Sequence, residues 1–288
     1  MVQVIGEIGG SSSRWAVLGL GDGFTTWPLR GERLPGFNPV SGDGDGFAAE
    51  IRNWFSVRQH DALAAAAVHI YGAGCGSKER QERMANAIRS VWPSAAVQVS
   101  SDLTGAGLGL CGEQVGLVLI LGTGMNVGHF DGSRLHCPMP SLGYLLGDEG
   151  SGADIGRNLL QDAFYGRIPP SLHEALFGPD GPQLSTVLEQ VHRAAHPARE
   201  LAAYTALLAG HIEAPYVREL LLGRFHTLAE LVTRYFSPEE RRSVFATGSV
   251  AYGFRDLLSE CLLDRGMTIT AVEPDPLPGL VRHHQRQG

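Results

Sequence analysis

The same order of predicted strands and helices occurs twice along this chain, and this repetition constrains the fold more than any other feature. Three β-like runs, Val2–Glu7, Trp15–Leu20 and Phe24–Leu29, precede a helix, a buried strand and a second helix. A new set of β-like runs begins at Val115–Leu121 and Asn126–Phe130, and helices follow it. Two halves of β-β-β-α-β-α form predict a duplicated α/β architecture of two domains with a cleft between them.

The other predicted elements complete this order. We expect helices at Ala48–His60, Lys78–Trp92, Ala153–Tyr165, Leu184–Ala195, Ala198–Leu208, His211–Tyr235, Tyr252–Arg265 and Gly279–Gln285, and further strands at Ala64–Tyr71, Ala96–Ser100, Ser133–Cys137, Ser243–Thr247 and Thr268–Glu273. The boundary is expected near Asp102–Glu113. It separates an N-terminal domain, residues 1–105, from a C-terminal domain, residues 106–288, which is enlarged by helices.

Composition and charge exclude several classes of protein. The 288 residues are 43% apolar and carry a net charge of −7, which disfavours a nucleic-acid surface because phosphate backbones need clustered Lys and Arg. The sequence shows neither a signal peptide nor the roughly 18 consecutive apolar residues of a membrane span. Cys75, Cys111, Cys137 and Cys261 lie far apart, as expected for reduced thiols of a cytoplasmic protein.

Glycine-rich turns stand at equivalent places in the two halves. The first half has Gly9–Ser13 after its opening strand, and the second has Gly122–Gly124. A third small-residue segment, Thr247–Ala251, lies between a strand and a helix. Such turns present backbone N–H groups to phosphates. A single glycine turn would be read as an ordinary hairpin, and the third segment is equally compatible with a plain strand–helix connection. Their joint occurrence favours a ligand site.

The segment Pro140–Arg157 reads PSLGYLLGDEGSGADIGR and places two carboxylates, Asp148 and Glu149, in a turn between glycines. Glycine lets the backbone approach a ligand closely. Taken alone, the segment would be read as a surface loop whose acids favour a helix N-terminus.

Several motifs stand together in the order and spacing of a known family. The chain resembles sugar kinases of the actin/Hsp70/hexokinase-like superfamily, in the branch of N-acetylglucosamine kinases and BadF/BadG-type ATPases. The matching motifs are SDLTGAGLGLCG, LILGTGMN, FDG, PSLGYLLGDEGSGADIG, ATGSVAYGFRDLL and PLPGLVRHH. The resemblance implies two ribonuclease-H-like (actin-like ATPase) domains with an interdomain cleft, the last helix packing back on the N-terminal domain, and a homodimer.

The resemblance also implies transfer of a phosphoryl group from ATP to the 6-hydroxyl of N-acetylglucosamine, with Mg²⁺. Asp102 is then the general base, although Ser101-Asp102 alone would read as a helix cap. Residues matching those that hold the amino sugar are Asn38, Thr123, Asn126, Asp148 and Glu149. Residues matching the nucleotide-binding positions are Gly9, Gly10, Ser11, Ser12, Ser13, Gly122, Gly124, Gly248 and Ser249. Glu7 matches the position on the metal side.

The first phosphate loop departs from the family pattern. Glu7 replaces the usual Asp, Ser12 replaces a Lys, and Met125 replaces a Ser. A displaced carboxylate and a missing positive charge would both slow phosphoryl transfer. A second hypothesis is therefore a sugar-binding sensor or regulator with weak or no kinase activity. A third, a BadF-type activator of a radical enzyme, is disfavoured because the chain lacks paired cysteines at cluster-binding spacing.

Overall fold

The computed structural model describes residues 1–20, 23–29, 32–40 and 42–287. Two compact units are formed: Met1–Glu113 together with Pro276–Gly288, and Gln114–Asp275. The domain limits expected from the sequence, 1–105 and 106–288, stay a prediction.

Each unit contains a five-stranded sheet of the same plan. In the first unit the strand order is β3-β2-β1-β4-β5, and in the second it is β8-β7-β6-β9-β10. The first three strands of each unit form an antiparallel meander, and the other two run parallel to the opening strand. The strands are β1 Gln3–Ile8, β2 Ser13–Leu18, β3 Phe24–Trp27, β4 Ala67–Gly72, β5 Ala96–Ser101, β6 Gly116–Leu121, β7 Met125–Phe130, β8 Leu135–His136, β9 Ser243–Thr247 and β10 Thr268–Glu273. This repeated plan confirms the expected duplicated α/β fold.

The helices follow the sequence-based order with local differences. They are α1 Gly44–Arg58, α2 Lys78–Val91, α3 Asp102–Ala106, α4 Gly143–Leu146, α5 Gly152–Phe164, α6 Pro170–Phe177, α7 Leu184–Arg193, α8 Pro197–Thr205, α9 Pro215–Tyr235, α10 Ser249–Gly253, α11 Arg255–Leu263 and α12 Leu277–Gln287. Short 3₁₀ segments lie at His60–Ala64 and Ala206–His211, and a π-helical turn follows α3 at Gly107–Cys111.

The sequence misplaced several helix boundaries. The helix expected at His211–Tyr235 begins at Pro215, because proline is favoured at the first helical position and lacks the N–H that earlier helical residues would need. The helix expected at Tyr252–Arg265 is divided into α10 and α11 at Phe254. Helix α6 was missed because its short length and its Pro-Pro start read as a loop.

Three aromatic side chains from different elements form the centre of the first unit's core. Trp15 of β2, Phe55 of α1 and Trp92 after α2 have ring centroids 5.1–5.6 Å apart. The Trp92 Nε1–H also donates to the Ala62 carbonyl at 2.8 Å. This packing fixes the β1–β2 hairpin, whose turn carries the first group of candidate site residues.

The C-terminal helix α12 belongs to the first unit. Leu280 and Val281 of this helix are fully buried beside Ile5 of β1. A Cβ at Gly279 would overlap the Gly109 carbonyl, so the helix approaches the π-helical turn at backbone distance. Only glycine permits such an approach at this crossing.

The second unit's core joins β6 to α9. Leu117, Leu119 and Leu121 of the strand are buried in one cluster with Leu221 and Phe225 of the helix. Helix α9 thereby lies beside the loop that follows α4, where the acidic pair is found. None of the helices among the described residues is both long and apolar enough to cross a bilayer.

Candidate sugar- and nucleotide-binding residues

In the first unit, the candidate residues lie at the carboxyl ends of the parallel strands. Ile8 of β1 is paired with Gly72 of β4, and Gly72 is paired with Ser101 of β5. The turn Gly9–Ser13 and the side chain of Asp102 therefore begin at one edge of the sheet. In open α/β sheets this edge is where ligands bind.

The turn Gly9–Ser13 is shaped by backbone hydrogen bonds. The Gly9 N–H donates to the Ser12 carbonyl at 2.9 Å, and the Phe37 N–H donates to the Gly9 carbonyl at 3.1 Å. Gly36 packs directly on this backbone, since a Cβ there would lie 2.6 Å from the Ser11 carbonyl carbon. The predicted phosphate turn is therefore a tight connection between β1 and β2 whose shape is also fixed by the Gly36 segment.

Glu7 has a neighbour that the sequence did not indicate. Arg14 lies opposite it across the β1–β2 pair, and its Nη1 is 3.4 Å from Glu7 Oε2. The two side chains are 16% (Glu7) and 42% (Arg14) exposed, so the pair is a weak, partly solvated one. A positive charge thus lies two residues beyond Ser12, where the family pattern has its lysine.

Asn38 is held by a local turn. Its Oδ1 accepts a hydrogen bond from the Val40 N–H at 2.9 Å. A Cβ at Gly74 would lie 2.7 Å from that oxygen, and Gly74 has φ +75°. Gly74 therefore lets the β4–α2 connection approach Asn38, which fixes the direction of its side-chain amide.

Asp102 is the first residue of α3, directly after β5. Ser101 is the helix cap, with its Oγ accepting from the Thr104 N–H at 3.1 Å. Asp102 Oδ1 accepts from the Leu103 N–H at 2.8 Å. Burial raises the pKa of the Cys75 thiol to about 12, and the nearby Asp102 charge adds to this rise. The cap is Ser101, and Asp102 is a carboxylate at the strand end, where a general base is expected.

In the second unit, two glycine segments meet at the equivalent sheet edge. Gly248 follows β9 with φ +111°, and a Cβ there would lie 2.5 Å from the Leu121 carbonyl. A Cβ at Gly122 would lie 3.9 Å from the Ser249 N. The Gly122–Gly124 turn and the Gly248-Ser249 segment are therefore neighbours, as expected if both contact one ligand.

The start of α5 holds the Gly122–Gly124 turn. The Gly152 N–H donates to the Gly122 carbonyl at 2.7 Å, and the Ala153 N–H donates to the Thr123 carbonyl at 3.0 Å. The N-terminal amides of α5 therefore donate hydrogen bonds to carbonyls of the turn. The acidic loop before α5 and the glycine turn after β6 form one connected structure.

Asp148 has an unusual backbone and an unusual environment. Among the described residues it is the one non-glycine residue with positive φ, at +60°. Such a conformation costs on the order of 1 kcal/mol and persists where the surroundings enforce it, often at functional sites. Burial raises the Asp148 pKa to about 6, the nearby Glu149 and Asp154 charges add to this, and the Met125 backbone N–H and Arg157 oppose it. Gly124 leaves room for the carboxylate, since a Cβ there would lie 2.8 Å from Asp148 Oδ2.

A surface pocket brings together three candidate sugar residues of the second unit, and the fourth, Thr123, does not line it. It encloses about 440 Å³ of space, including open solvent at its mouth, and Asn126, Asp148 and Glu149 form its polar side. Its apolar side includes Met139, Pro140, Leu142, Leu231 and Tyr235. Asn126 Oδ1 accepts from the Val127 N–H at 3.1 Å, which orients the side-chain amide. A polar side facing an apolar one suits a polyhydroxylated ligand with an apolar substituent.

Asp154 is a residue of this region that the sequence did not single out. Its side chain is 1% exposed and accepts hydrogen bonds from Gly150 N–H, Arg157 Nη2, Asn158 Nδ2 and Arg224 Nε at 2.7–3.2 Å. The sequence would assign it to the favourable first turn of α5. Its partner Arg224 lies in α9, 70 residues away, and no local pattern links the two.

Comparison with solved structures gives the family. A protein from Porphyromonas gingivalis named as a candidate N-acetylglucosamine kinase is 31% identical to this chain. The match covers 98% of each chain, with a TM-score of 0.84. The chain belongs to the N-acetylglucosamine kinase family of sugar kinases. No family model matches the chain, and no curated protein does.

Two solved structures of lower sequence identity bear on the fold and on nothing else. A candidate N-acetylglucosamine kinase from Chromobacterium violaceum is 19% identical, with 98% of each chain covered and a TM-score of 0.67. A ROK family glucokinase from Streptomyces griseus, in complex with glucose and AMPPNP, is 16% identical, with 100% of each chain covered and a TM-score of 0.63. The expected actin-like sugar kinase fold is confirmed. The BadF/BadG branch, the homodimer and the cytoplasmic location stay predictions.

Proposed function

We propose that this protein is an ATP-dependent amino-sugar kinase that phosphorylates the 6-hydroxyl of N-acetylglucosamine. The observation that carries the proposal is Asp102, a carboxylate at the end of β5 on the same sheet edge as the Gly9–Ser13 turn. A carboxylate accepts the proton of an attacking hydroxyl, and a glycine turn beside it suits phosphate oxygens. Membership of the N-acetylglucosamine kinase family supports the same reaction.

Five residues are proposed to bind the sugar. Asn38 of the first unit and Thr123, Asn126, Asp148 and Glu149 of the second offer the amide, hydroxyl and carboxylate groups that bind sugar hydroxyls. The apolar side of the pocket, with Leu142 and Leu231, supports a substrate that carries an acetyl group. We expect N-acetylglucosamine to bind more tightly than glucosamine or glucose.

The residues present also fit a nucleotide. The Gly122 turn lies against Ser249, and the buried Thr247 Oγ1 beside it has no hydrogen-bond partner among the described residues. ATP would supply the phosphoryl group, and Mg²⁺ would neutralise its charge. Glu7 offers one carboxylate for the metal, and magnesium bound to nucleotides needs few protein ligands. The described residues contain no group of three or more His, Cys, Asp or Glu side chains suited to a metal.

In the proposed reaction, this chain's residues orient the sugar and handle one proton. Asn38, Asn126 and Asp148 would bind hydroxyl groups of the sugar. Asp102 would accept the proton of the 6-hydroxyl as the phosphoryl group passes from ATP to that oxygen and leaves ADP. The Asp102 carboxylate suits this role because a Leu103 N–H already donates to Oδ1 and fixes the group.

A second candidate function is a sugar-binding sensor or regulator with weak or no kinase activity. The Glu7–Arg14 pair favours it, because the arginine binds the carboxylate proposed for the metal side. Ser12 further removes the cation that stabilises the transferring phosphoryl group in the family pattern. In this alternative the pocket around Asp148 keeps its role and the first unit's turn does not.

Measuring ADP release with N-acetylglucosamine alongside calorimetric sugar binding separates the two functions. A kinase releases ADP in proportion to sugar phosphate, and a sensor binds the sugar without turnover. If binding occurs without turnover, the double variant Glu7→Asp/Ser12→Lys decides whether activity is latent. Absence of any amino-sugar binding would rule out both functions.

A further inference from the structure

The backbone conformation of Asp148 is held by its neighbours in sequence and by one buried side chain. The Ser151 N–H donates to the Asp148 carbonyl at 3.0 Å. The Gly150 N–H, in the next left-handed residue at φ +77°, donates to Asp154 Oδ2 at 2.9 Å. The loop Gly147–Ser151 is therefore attached to the Asp154 carboxylate through the Gly150 amide.

Asp154 is in turn fixed by two arginines. Arg157 Nη2 lies 2.8 Å from Oδ1, and Arg224 Nε lies 2.7 Å from Oδ2, the same oxygen that accepts the Gly150 N–H. Because the carboxylate is buried, each of these hydrogen bonds matters more than it would at the surface. Arg157 also donates to the Tyr144 carbonyl of α4 at 2.9 Å, so both sides of the loop are joined to the network.

Helix α9 also packs against the loop Gly147–Ser151. A Cβ at Gly150 would lie 3.3 Å from Leu228, one turn after Arg224. The same helix contributes Leu231 to the pocket that contains Asp148. Arg224 and Leu228 thus connect the shape of the acidic loop to the position of a pocket wall.

We infer that Asp154 and Arg224 are positioning residues that hold Asp148 in the left-handed conformation in which it binds the sugar. The inference rests on the proposed function, because it assigns these two residues to the sugar site named there. Neither residue contacts the sugar in this account. They act through the Gly150 amide and the contact of α9 with the loop.

The charges around Asp148 make this role distinguishable from a general structural or electrostatic one. Glu149 and Asp154 raise its pKa, and Arg157 lowers it. Removing the Arg224 charge without moving the loop would leave the Asp148 pKa unchanged or raise it, because loss of a positive charge never favours the carboxylate. Releasing the loop would instead hydrate Asp148 and lower its pKa toward the ordinary value. Only release of the loop therefore predicts a lowered Asp148 pKa.

The experiment compares wild type, Arg224→Gln, Arg224→Lys and Asp154→Asn, with Arg218→Gln as the matched control. Arg218 is in the same helix and forms an exposed ion pair with Glu260. The Asp148 carboxyl is titrated by carbon NMR, assigned by its loss in Asp148→Asn, without any sugar present. Calorimetry with N-acetylglucosamine and with a non-hydrolysable ATP analogue gives the two affinities, and circular dichroism confirms folding.

We expect Arg224→Gln to lower the Asp148 titration midpoint and to weaken sugar binding by about tenfold to 100-fold, with nucleotide affinity unchanged. Arg224→Lys should retain more sugar binding, and Arg218→Gln should behave as wild type. A raised or unchanged midpoint with wild-type sugar affinity would overturn the inference. If Asp154→Asn does not fold, the partly exposed Arg224 still gives the answer. If the Asp148 midpoint shifts as expected but no amino sugar binds to any variant or to wild type, the proposed function is rejected. The positioning of Asp148 by Asp154 and Arg224 would still be supported.

Discussion

The two loops proposed to hold the substrates are kept in shape by different means. In the first unit, Gly9–Ser13 is held by backbone hydrogen bonds to Ser12 and Phe37 and by the close approach of Gly36. In the second unit, Gly147–Ser151 also has backbone hydrogen bonds, and in addition the buried carboxylate of Asp154 links its Gly150 amide to Arg224.

This difference would allow the first loop to depart from the pattern that the resemblance implies while the second loop keeps it. A turn held by backbone groups keeps its shape when Lys is replaced by Ser at position 12, because that side chain takes no part in holding it. A loop held by a buried side chain loses its shape when that side chain changes. The first loop can therefore lose catalytic charge without misfolding. Correct folding alone does not distinguish a kinase from a sugar-binding sensor.

The largest expected effect tests whether the chemistry belongs to the first unit. Asp102→Asn removes the proposed general base, so we expect kcat to fall by about 10²–10⁴-fold. Sugar affinity should stay near the wild-type value, because most of the residues proposed to contact the sugar lie in the second unit. ADP release and calorimetry measure the two quantities.

The matched variant for this comparison is Asp148→Asn, which should weaken sugar binding instead. If Asp102→Asn keeps wild-type turnover, the assignment of the base is wrong.

A second prediction is that acid affects the two units in opposite directions. In the first unit, burial beside His69 and His283 lowers the His284 pKa from 6.5 to about 4. The unfolded chain therefore binds a proton first, and roughly 3 kcal/mol of stability present above pH 6.5 is lost as the pH falls toward 4. The Tyr71 hydroxyl, 2.9 Å from His284 Nε2, belongs to the same buried cluster.

In the second unit, the Asp148 pKa is raised from 3.8 to about 6, so the folded state binds the proton first. Its contribution to stability is fully present below pH 3.8 and is lost as the pH rises through about 6. Urea unfolding between about pH 8 and pH 5 should show less acid destabilisation for His284→Leu and more for Asp148→Asn. Equal pH dependence in wild type and both variants would contradict this.

The third prediction concerns the turn held by its backbone. Gly36→Ala places a methyl group against Ser11 and Ser12, so we expect a loss of roughly 1–3 kcal/mol in unfolding free energy and weaker nucleotide binding. Gly76→Ala is the control, because a Cβ there meets nothing within 4 Å. Urea denaturation and nucleotide calorimetry measure both effects. Identical behaviour of the two alanine variants would mean that the turn shifts freely.

The smallest expected effect is a gain. Ser12→Lys restores a positive charge beside the proposed phosphate site, and we expect kcat to rise by about tenfold or less. Ser12→Met, a neutral side chain of similar length, should not raise it. Steady-state ADP release compares the two variants. An equal change in both would show that side-chain size and not charge limits the reaction.

The sequence predicted most of the fold because the signals for it are local. Alternating apolar runs, the Gly122–Gly124 turn and helical periodicity each depend on a few consecutive residues. Errors fell where local signals conflict, as at α6 with its Pro-Pro start and at the Phe254 break between α10 and α11. The resemblance placed Asp148 among the site residues, and the structure adds its strained backbone and buried carboxylate.

The sequence by itself determined the duplicated α/β plan, the family and the candidate residues from Glu7 to Ser249. Only the tertiary structure decided which groups support them: Arg14 beside Glu7, Gly36 against the first turn, and Asp154 with Arg224 under Asp148. The physical reason is that these contacts join residues far apart in the chain or on neighbouring strands. A short motif identifies the residues of a loop. The contacts that hold the loop in place come from residues elsewhere in the chain and appear only in the folded structure.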